Sequence, residues 1–200
     1  TMLLCFLRIL EPRGGKIYLE GVDTQTMGLR TLRQSLGLVP QDPVLLQGTL
    51  RFNIDPFEMY DDARIWEALR HVQMDSFVQN SLQGGLDFHI SGEGSNLSFG
   101  QRQLLSMARN IVSRPMLLLL DEATSAIDPN TQQLLQNTIE KQFEDASMIV
   151  IAHRLETIIN FDVVVVLDKG VVVEKGPLKE VAQMKGGRFA GMLAMKGLSV

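Results

Sequence analysis

The 200 residues fit one globular domain, with or without an inserted subdomain, and 45% hydrophobic against 21% charged residues exclude a disordered chain, because that apolar surface offsets the entropy lost on folding. A formal net charge of -4 leaves no excess of cations to displace counterions from a phosphate backbone, so no nucleic-acid partner is expected. The single Cys5 can form neither an internal disulfide nor a zinc site, and it is read as a packing residue suited to a reducing compartment.

The opening residues 1–10 are apolar nearly all round, which for a helix means burial on most sides, and Pro12 with Gly14-Gly15 ends the run. No charged, apolar and small-residue leader precedes them, so no signal peptide is expected. Residues 16–20 alternate as a strand does, Gly21-Val22-Asp23 turns, and Leu36-Gly37-Leu38-Val39 forms a short apolar run stopped by Pro40. These segments are expected to be strands of an antiparallel or edge element. From 42 to 114 the texture becomes helical, with Asp61-Asp62 leading into Ile65, Leu69 and Val72 at i, i+4, i+7 spacing, as in an inserted helical subdomain. After Pro115 the order is a strand at 116–120, a helix at 131–143, a strand at 148–152, a short helix and a strand at 163–167. Apolar strands alternating with helices indicate a parallel sheet covered on both faces. The longest apolar runs, 116–120 and 163–167, are far short of the roughly 20 residues a membrane span requires. Any span of a parent membrane protein is expected outside this segment. The tail 179–196 has the amphipathic character of a packed terminal helix, and the ten methionines are read as core gap fillers.

Two stretches carry candidate chemistry. Leu117-Leu118-Leu119-Leu120-Asp121-Glu122 is a buried strand delivering two adjacent carboxylates to the edge where ligands bind in open α/β sheets. Either Asp121 holds Mg²⁺ through a water while Glu122 takes a proton from a water attacking a γ-phosphate, or the acids simply end the strand and cap the next turn. In Leu97-Ser98-Phe99-Gly100-Gln101-Arg102-Gln103, Ser98 and Gln101 have the spacing of a capping box, so a helix should start at Ser98. A glycine beside an exposed helix N-terminus also offers N–H groups and a positive dipole end to a phosphate. An ordinary N-cap is the competing reading.

Taken together the residues resemble a known family. Val39-Pro40-Gln41-Asp42, Leu97-Ser98-Phe99-Gly100-Gln101, Leu120-Asp121-Glu122, Ser125-Ala126-Ile127-Asp128 and Ile151-Ala152-His153-Arg154 follow the order of the Q-loop, signature, Walker B, D-loop and H-loop of ABC ATPases. The tail from Asp168-Lys169-Gly170 through Glu174-Lys175-Gly176 looks like the hairpin that follows the H-loop strand. The resemblance implies an α/β fold: a RecA-like P-loop NTPase core with a mainly parallel sheet, an N-terminal antiparallel β element and an inserted helical subdomain. It divides the chain into 1–41, core ending at the Q-loop; 42–114, helical subdomain with the signature; and 115–200, core with Walker B, D-loop and H-loop. ATP and Mg²⁺ are the implied cofactors. Gln41 would touch Mg²⁺ or the attacking water, or else be a turn residue beside Pro40. Asp121 would hold the metal, Glu122 would act as general base, and His153 would contact the γ-phosphate or be structural. Ser98, Phe99, Gly100 and Gln101 would close over nucleotide held by a partner cassette. Asp128 would reach across that interface, or serve only as a turn former before Pro129.

Residues 41–57 are similar to the second nucleotide-binding domain of subfamily C exporters, the multidrug-resistance-associated type, and Phe99 stands where the general LSGGQ signature has glycine. That similarity implies an asymmetric head-to-tail pair with a first nucleotide-binding domain and a connection to transmembrane domains through the Q-loop region, on the cytosolic face of a membrane. Asp121, Glu122 and His153 would serve the hydrolytic site of the pair. The sequence contains no GxxxxGK[ST] motif, whose backbone N–H groups and lysine grip nucleotide phosphates. The chain is therefore read as cut just after the Walker A loop, and the 200 residues by themselves are expected neither to bind ATP tightly nor to hydrolyse it. Competing readings are a soluble ABC ATPase of the chromosome-maintenance or DNA-repair kind, a non-hydrolysing cassette that gates a membrane partner, and an unrelated α/β binding module. The first would need long coiled coils between Q-loop and signature, and no sustained heptads occur there.

Overall fold

The computed structural model describes residues 2–121, 128–152 and 155–199. It divides into two compact units, Thr1–Ile149 and Val150–Val200.

The first unit opens with α1 (Met2–Phe6), which is shorter and more exposed than the apolar run of 1–10 predicts. Arg8 takes a left-handed conformation with φ 47°, its N–H bonds Cys5 O, and the N–H of Ile9 bonds Leu4 O. That pair of bonds is a Schellman closure with an arginine at the position glycine usually fills. The Arg8 guanidinium rewards the turn by donating to the carbonyls of Thr24 and Met27 at 3.0 and 2.8 Å. Arg33 donates to the carbonyls of Leu7 and Arg8, which the helix end would otherwise leave unpaired. Strands β1 (Tyr18–Leu19) and β2 (Val22–Asp23) form an antiparallel hairpin turned by Glu20 and Gly21, both at positive φ, which corrects the reading of 16–20 as strand and 21–23 as turn: Glu20 belongs to the turn, and Val22-Asp23 is the second strand.

Helix α2 (Leu29–Ser35) leads into β3 (Leu36–Val39), which among the described residues is an edge strand, one of the two expected alternatives, but pairs in parallel with β6 (Leu117–Asp121), which corrects the antiparallel one. The physical reason is coverage, since Leu36, Gly37 and Val39 are buried and Leu38 half-buried, the burial of a strand enclosed on both faces. Between these strands lie β4 (Gly48–Thr49) with α3 (Leu50–Ile54), α4 (Asp62–His71), α5 (Asp75–Ser81), β5 (His89–Ile90) paired antiparallel to β4, and α6 (Phe99–Ser113). Ile65, Leu69 and Val72, on the predicted face, are each 0% exposed. Asn53 anchors the segment before α3, accepting from Leu46 N–H and donating to the carbonyls of Leu46 and Thr49. Helix α7 (Pro129–Gln142) and β7 (Ser147–Ile151) follow, giving a sheet in the order β3-β6-β7.

In the second unit β8 (Val163–Asp168) pairs antiparallel with β9 (Val171–Pro177) through Lys169 and Gly170 at positive φ. The 163–167 run is thus half of a hairpin and pairs antiparallel with β9, which corrects its expected parallel pairing. Its alternating burial, with Val164 and Val166 inward, fits a strand covered on one face. The amphipathic tail is two helices, α8 (Leu178–Ala182) and α9 (Arg188–Lys196), broken at Gly186-Gly187. Leu178, Val181, Phe189 and Leu193 pack on Val164 and Val166.

Glu174 of β9 caps α9 across the fold, accepting from the N–H groups of Arg188 and Phe189 at 2.5 and 3.1 Å, while Gly187 at the N-cap has no side chain to do so. Those two N–H groups, the Arg188 one most, hold its carboxyl below the usual carboxylate range. A lowered carboxyl stabilises the fold at pH above its unfolded value and loses that contribution as pH falls through the folded value. Glu174→Gln is therefore expected to lower thermal stability near neutrality and to flatten the acid limb of the pH–stability profile, read by melting between neutral and acid pH.

Candidate functional site

The described candidate residues fall at two places in the first unit, and α6 runs from one toward the other. The first is the C-terminal edge of the parallel strands. The register runs from Leu36↔Leu117 to Val39↔Leu120, so Pro40 and Asp121 leave the sheet side by side and Gln41 follows at once. Asp121 is half-buried at the end of a strand whose four leucines are buried, and Gln41 is exposed. Asp121 carries a carboxylate and Gln41 an amide oxygen, both donors of the type a hard divalent cation takes alongside water and phosphate. Among the described residues no three His, Cys, Asp or Glu side chains cluster into a metal cage. Glu122 and His153, predicted for the same edge, lie outside the described residues, as do 125–127 of the D-loop.

The second place is the start of α6. Ser98 is its N-cap as predicted: Ser98 Oγ accepts from Gln101 N–H at 3.2 Å and Ser98 N–H donates to Gln101 Oε1 at 2.8 Å, a complete capping box. The Gln101 side chain is thereby engaged within its own helix. Phe99 is half-buried with the Arg102 guanidinium 5.6 Å from its ring centre, and Arg102 also donates to the carbonyl of Leu97. Gly100 faces α7, where an added Cβ would meet the Thr131 side chain at 3.6 Å. Asp128 is the N-cap of α7 and accepts from the N–H groups of Asn130 and Thr131 at 3.1 Å each. Hydrogen bonds from Thr131, its side chain first and then its backbone, hold the Asp128 carboxyl below its ordinary value. The structure therefore brings the signature glycine and the Asp128 turn together through Thr131. Ser98→Ala is expected to cost about 1 kcal/mol, the usual value of such a cap, as a drop in melting temperature.

Sequence reasoning passed over the residues that fasten α6 to β3. Gln103 donates through Nε2 to the Pro40 carbonyl at 3.1 Å, and Asn110 donates through Nδ2 to the Leu38 carbonyl at 3.0 Å and the Ser106 carbonyl at 2.8 Å. Gln103, Ser106 and Asn110 are all buried. Their spacing is the signal that was available, because polar residues at i, i+3 and i+7 interrupt the apolar stripe of an otherwise ordinary core helix.

Comparison with known proteins decides the family. The model of the family described as "ABC transporter" matches residues 1–125. The chain belongs to the ABC transporter family. Similar proteins include ATP-binding cassette sub-family C member 3 of Rattus norvegicus, 48% identical over 200 residues, all of this chain and 13% of that protein. ATP-binding cassette sub-family C member 2 of Homo sapiens is 47% identical over 182 residues, 91% of this chain and 12% of that protein. Multidrug resistance protein mrp-7 of Caenorhabditis elegans is 43% identical over 194 residues, 97% of this chain and 13% of that protein. The chain thus spans about an eighth of the length of these relatives. Among solved structures, a bacterial Atm1-family ABC exporter with ATP bound superposes with a TM-score of 0.87 at 32% identity, over 99% of this chain and 34% of that one. The resemblance to an ABC cassette of subfamily C, and the mixed α/β fold it implied, stand on these matches. Membership of this family implies ATP binding. No helix among the described residues is long and apolar enough to cross a membrane.

Proposed function

We propose that this chain is the greater part of a nucleotide-binding domain of a subfamily C exporter, in which ATP binding and hydrolysis drive transmembrane transport of organic anions, conjugates or drugs. The observation that carries the proposal is the parallel register of β3 and β6, which ends Gln41 and Asp121 on one edge beneath a helix headed by Ser98-Phe99-Gly100-Gln101. Bound there, Mg-ATP would supply an electrophilic γ-phosphate and a cation to neutralise developing charge. Asp121 and Gln41 would hold the cation, directly or through water. Glu122 would take the proton of the attacking water, and His153 would orient the terminal phosphate. The N–H groups at the start of α6 would meet the phosphates of nucleotide held by a partner cassette, with Asp128 reaching toward the same interface.

Residues 1–41 and 115–200 would then be core, and 42–114 the helical subdomain that faces the membrane partner through the Q-loop region. The partners would be the first nucleotide-binding domain and the transmembrane domains of one protein, with the cassette on the cytosolic side. The relatives' names, sub-family C members and a multidrug resistance protein, support the transport class. The test uses inverted membrane vesicles containing the full-length protein. Mg²⁺-dependent, vanadate-sensitive hydrolysis coupled to uptake of an anionic conjugate is expected. Nucleotide binding with neither turnover nor uptake would move the reading to a regulatory cassette.

A further inference from the structure

Of the two amides that fasten α6 to the β3 strand end, only one grips the peptide that joins Pro40 to Gln41. Gln103 is fully buried, and its Nε2 reaches the carbonyl of Pro40. Proline has no N–H, so this carbonyl is the one backbone hydrogen-bonding group that residue 40 offers. The Pro40 carbonyl and the Gln41 N–H belong to one rigid peptide plane. Holding the carbonyl therefore sets the plane from which the Gln41 side chain departs. Gln103 also lies within the first two turns of α6, about 7.5 Å along the axis from Ser98. The capping box and the Arg102–Leu97 bond make that end of the helix stiff.

We propose that Gln103 is a positioning residue for Gln41: it ties the Pro40–Gln41 peptide to the signature helix, so that engagement of residues 98–101 by nucleotide is transmitted to the strand end bearing Gln41. The proposal rests on the reading of Gln41 and Asp121 as the Mg-ATP edge. Asn110 supplies the contrast, since its grip on Leu38 lies within the strand and three residues before Gln41.

The experiment uses the full-length protein and Gln103→Met, which keeps length and apolar fit but removes the donor. The kcat for ATP is expected to fall about tenfold with KM within about twofold, because misplacing a reacting geometry costs rate before binding. The magnesium concentration for half-maximal turnover rises. In nucleotide-free protein, amide exchange over residues 41–44 speeds about tenfold. In a Gln41→Ala background Gln103→Met causes no further loss of turnover, as expected of residues acting in series. Asn110→Leu lowers the melting temperature and leaves kcat unchanged. Should Gln103→Met fail to accumulate, Gln103→Asn, one methylene short of the carbonyl, carries the same comparisons. Wild-type kcat in Gln103→Met, an equal loss on top of Gln41→Ala, or the same kinetic loss from Asn110→Leu would each overturn the proposal alone. Absence of magnesium-dependent turnover in the wild-type protein would remove the reading of the Gln41–Asp121 edge as well.

Discussion

Replacing Glu122 by glutamine in the full-length protein is expected to lower Mg-ATP turnover by about 10² to 10⁴-fold, the span that a positioned general base contributes. The amide keeps the shape and volume of the carboxyl but cannot accept the proton of an attacking water. Nucleotide affinity should therefore persist while hydrolysis stops, and trapped Mg-ATP should accumulate on the protein. The expectation follows from place in the chain. Glu122 comes directly after Asp121, which ends a strand of four buried leucines at the edge shared with Gln41. Steady-state hydrolysis and a nucleotide-retention assay check it together. A loss under tenfold would take the general-base role away from Glu122.

Gly37→Val is expected to destabilise the cassette by about 3 kcal/mol or more, at the severe end for an overpacked core. Gly37 pairs with Leu118 in the centre of the parallel register. A Cβ there would lie 2.5 Å from Asn110 Oδ1, 2.6 Å from Pro115 Cγ and 2.9 Å from Leu118 Cδ1, and none of the three can retreat cheaply. Asn110 is committed to the Leu38 and Ser106 carbonyls, Pro115 closes the turn after α6, and Leu118 is fully buried. Since the displaced Asn110 also holds the Leu38 and Ser106 carbonyls, the change breaks buried hydrogen bonds as well as overfilling the core, and the loss is one of stability. Chemical denaturation gives the magnitude. Gly191→Ala is the control: it lies in α9 with open space around it, and there the change is expected to stabilise by about 0.5 to 1 kcal/mol through helix propensity.

Local chemistry made part of this molecule legible before any coordinates. The Ser98–Gln101 box announces a helix start because both partners lie within one turn, and Ile65, Leu69 and Val72 announce a buried face because their spacing is that of a helix. Asp121 at the end of four leucines marks a sheet edge for the same reason. What escaped was set by partners distant in sequence. Nothing local tells Leu36-Gly37-Leu38-Val39 that its neighbour is β6, some 80 residues on, and parallel. Nothing local says that Arg8 will end α1 early, because its reward is the Thr24 and Met27 carbonyls. The apolar 163–167 run also fits either pairing direction until β9 folds back on it. Gln103 stood in plain sight beside the signature, yet its significance depends on Pro40, 63 positions away.

The most direct measurement is a structure of the full-length Glu122→Gln protein with Mg-ATP bound. Gln41, Asp121, His153 and the amide introduced at position 122 are expected to converge on the cation and terminal phosphate of a single nucleotide at the β3–β6 edge. Nucleotide bound elsewhere, or those side chains dispersed over separate faces, would contradict the reading of this edge as the hydrolytic site.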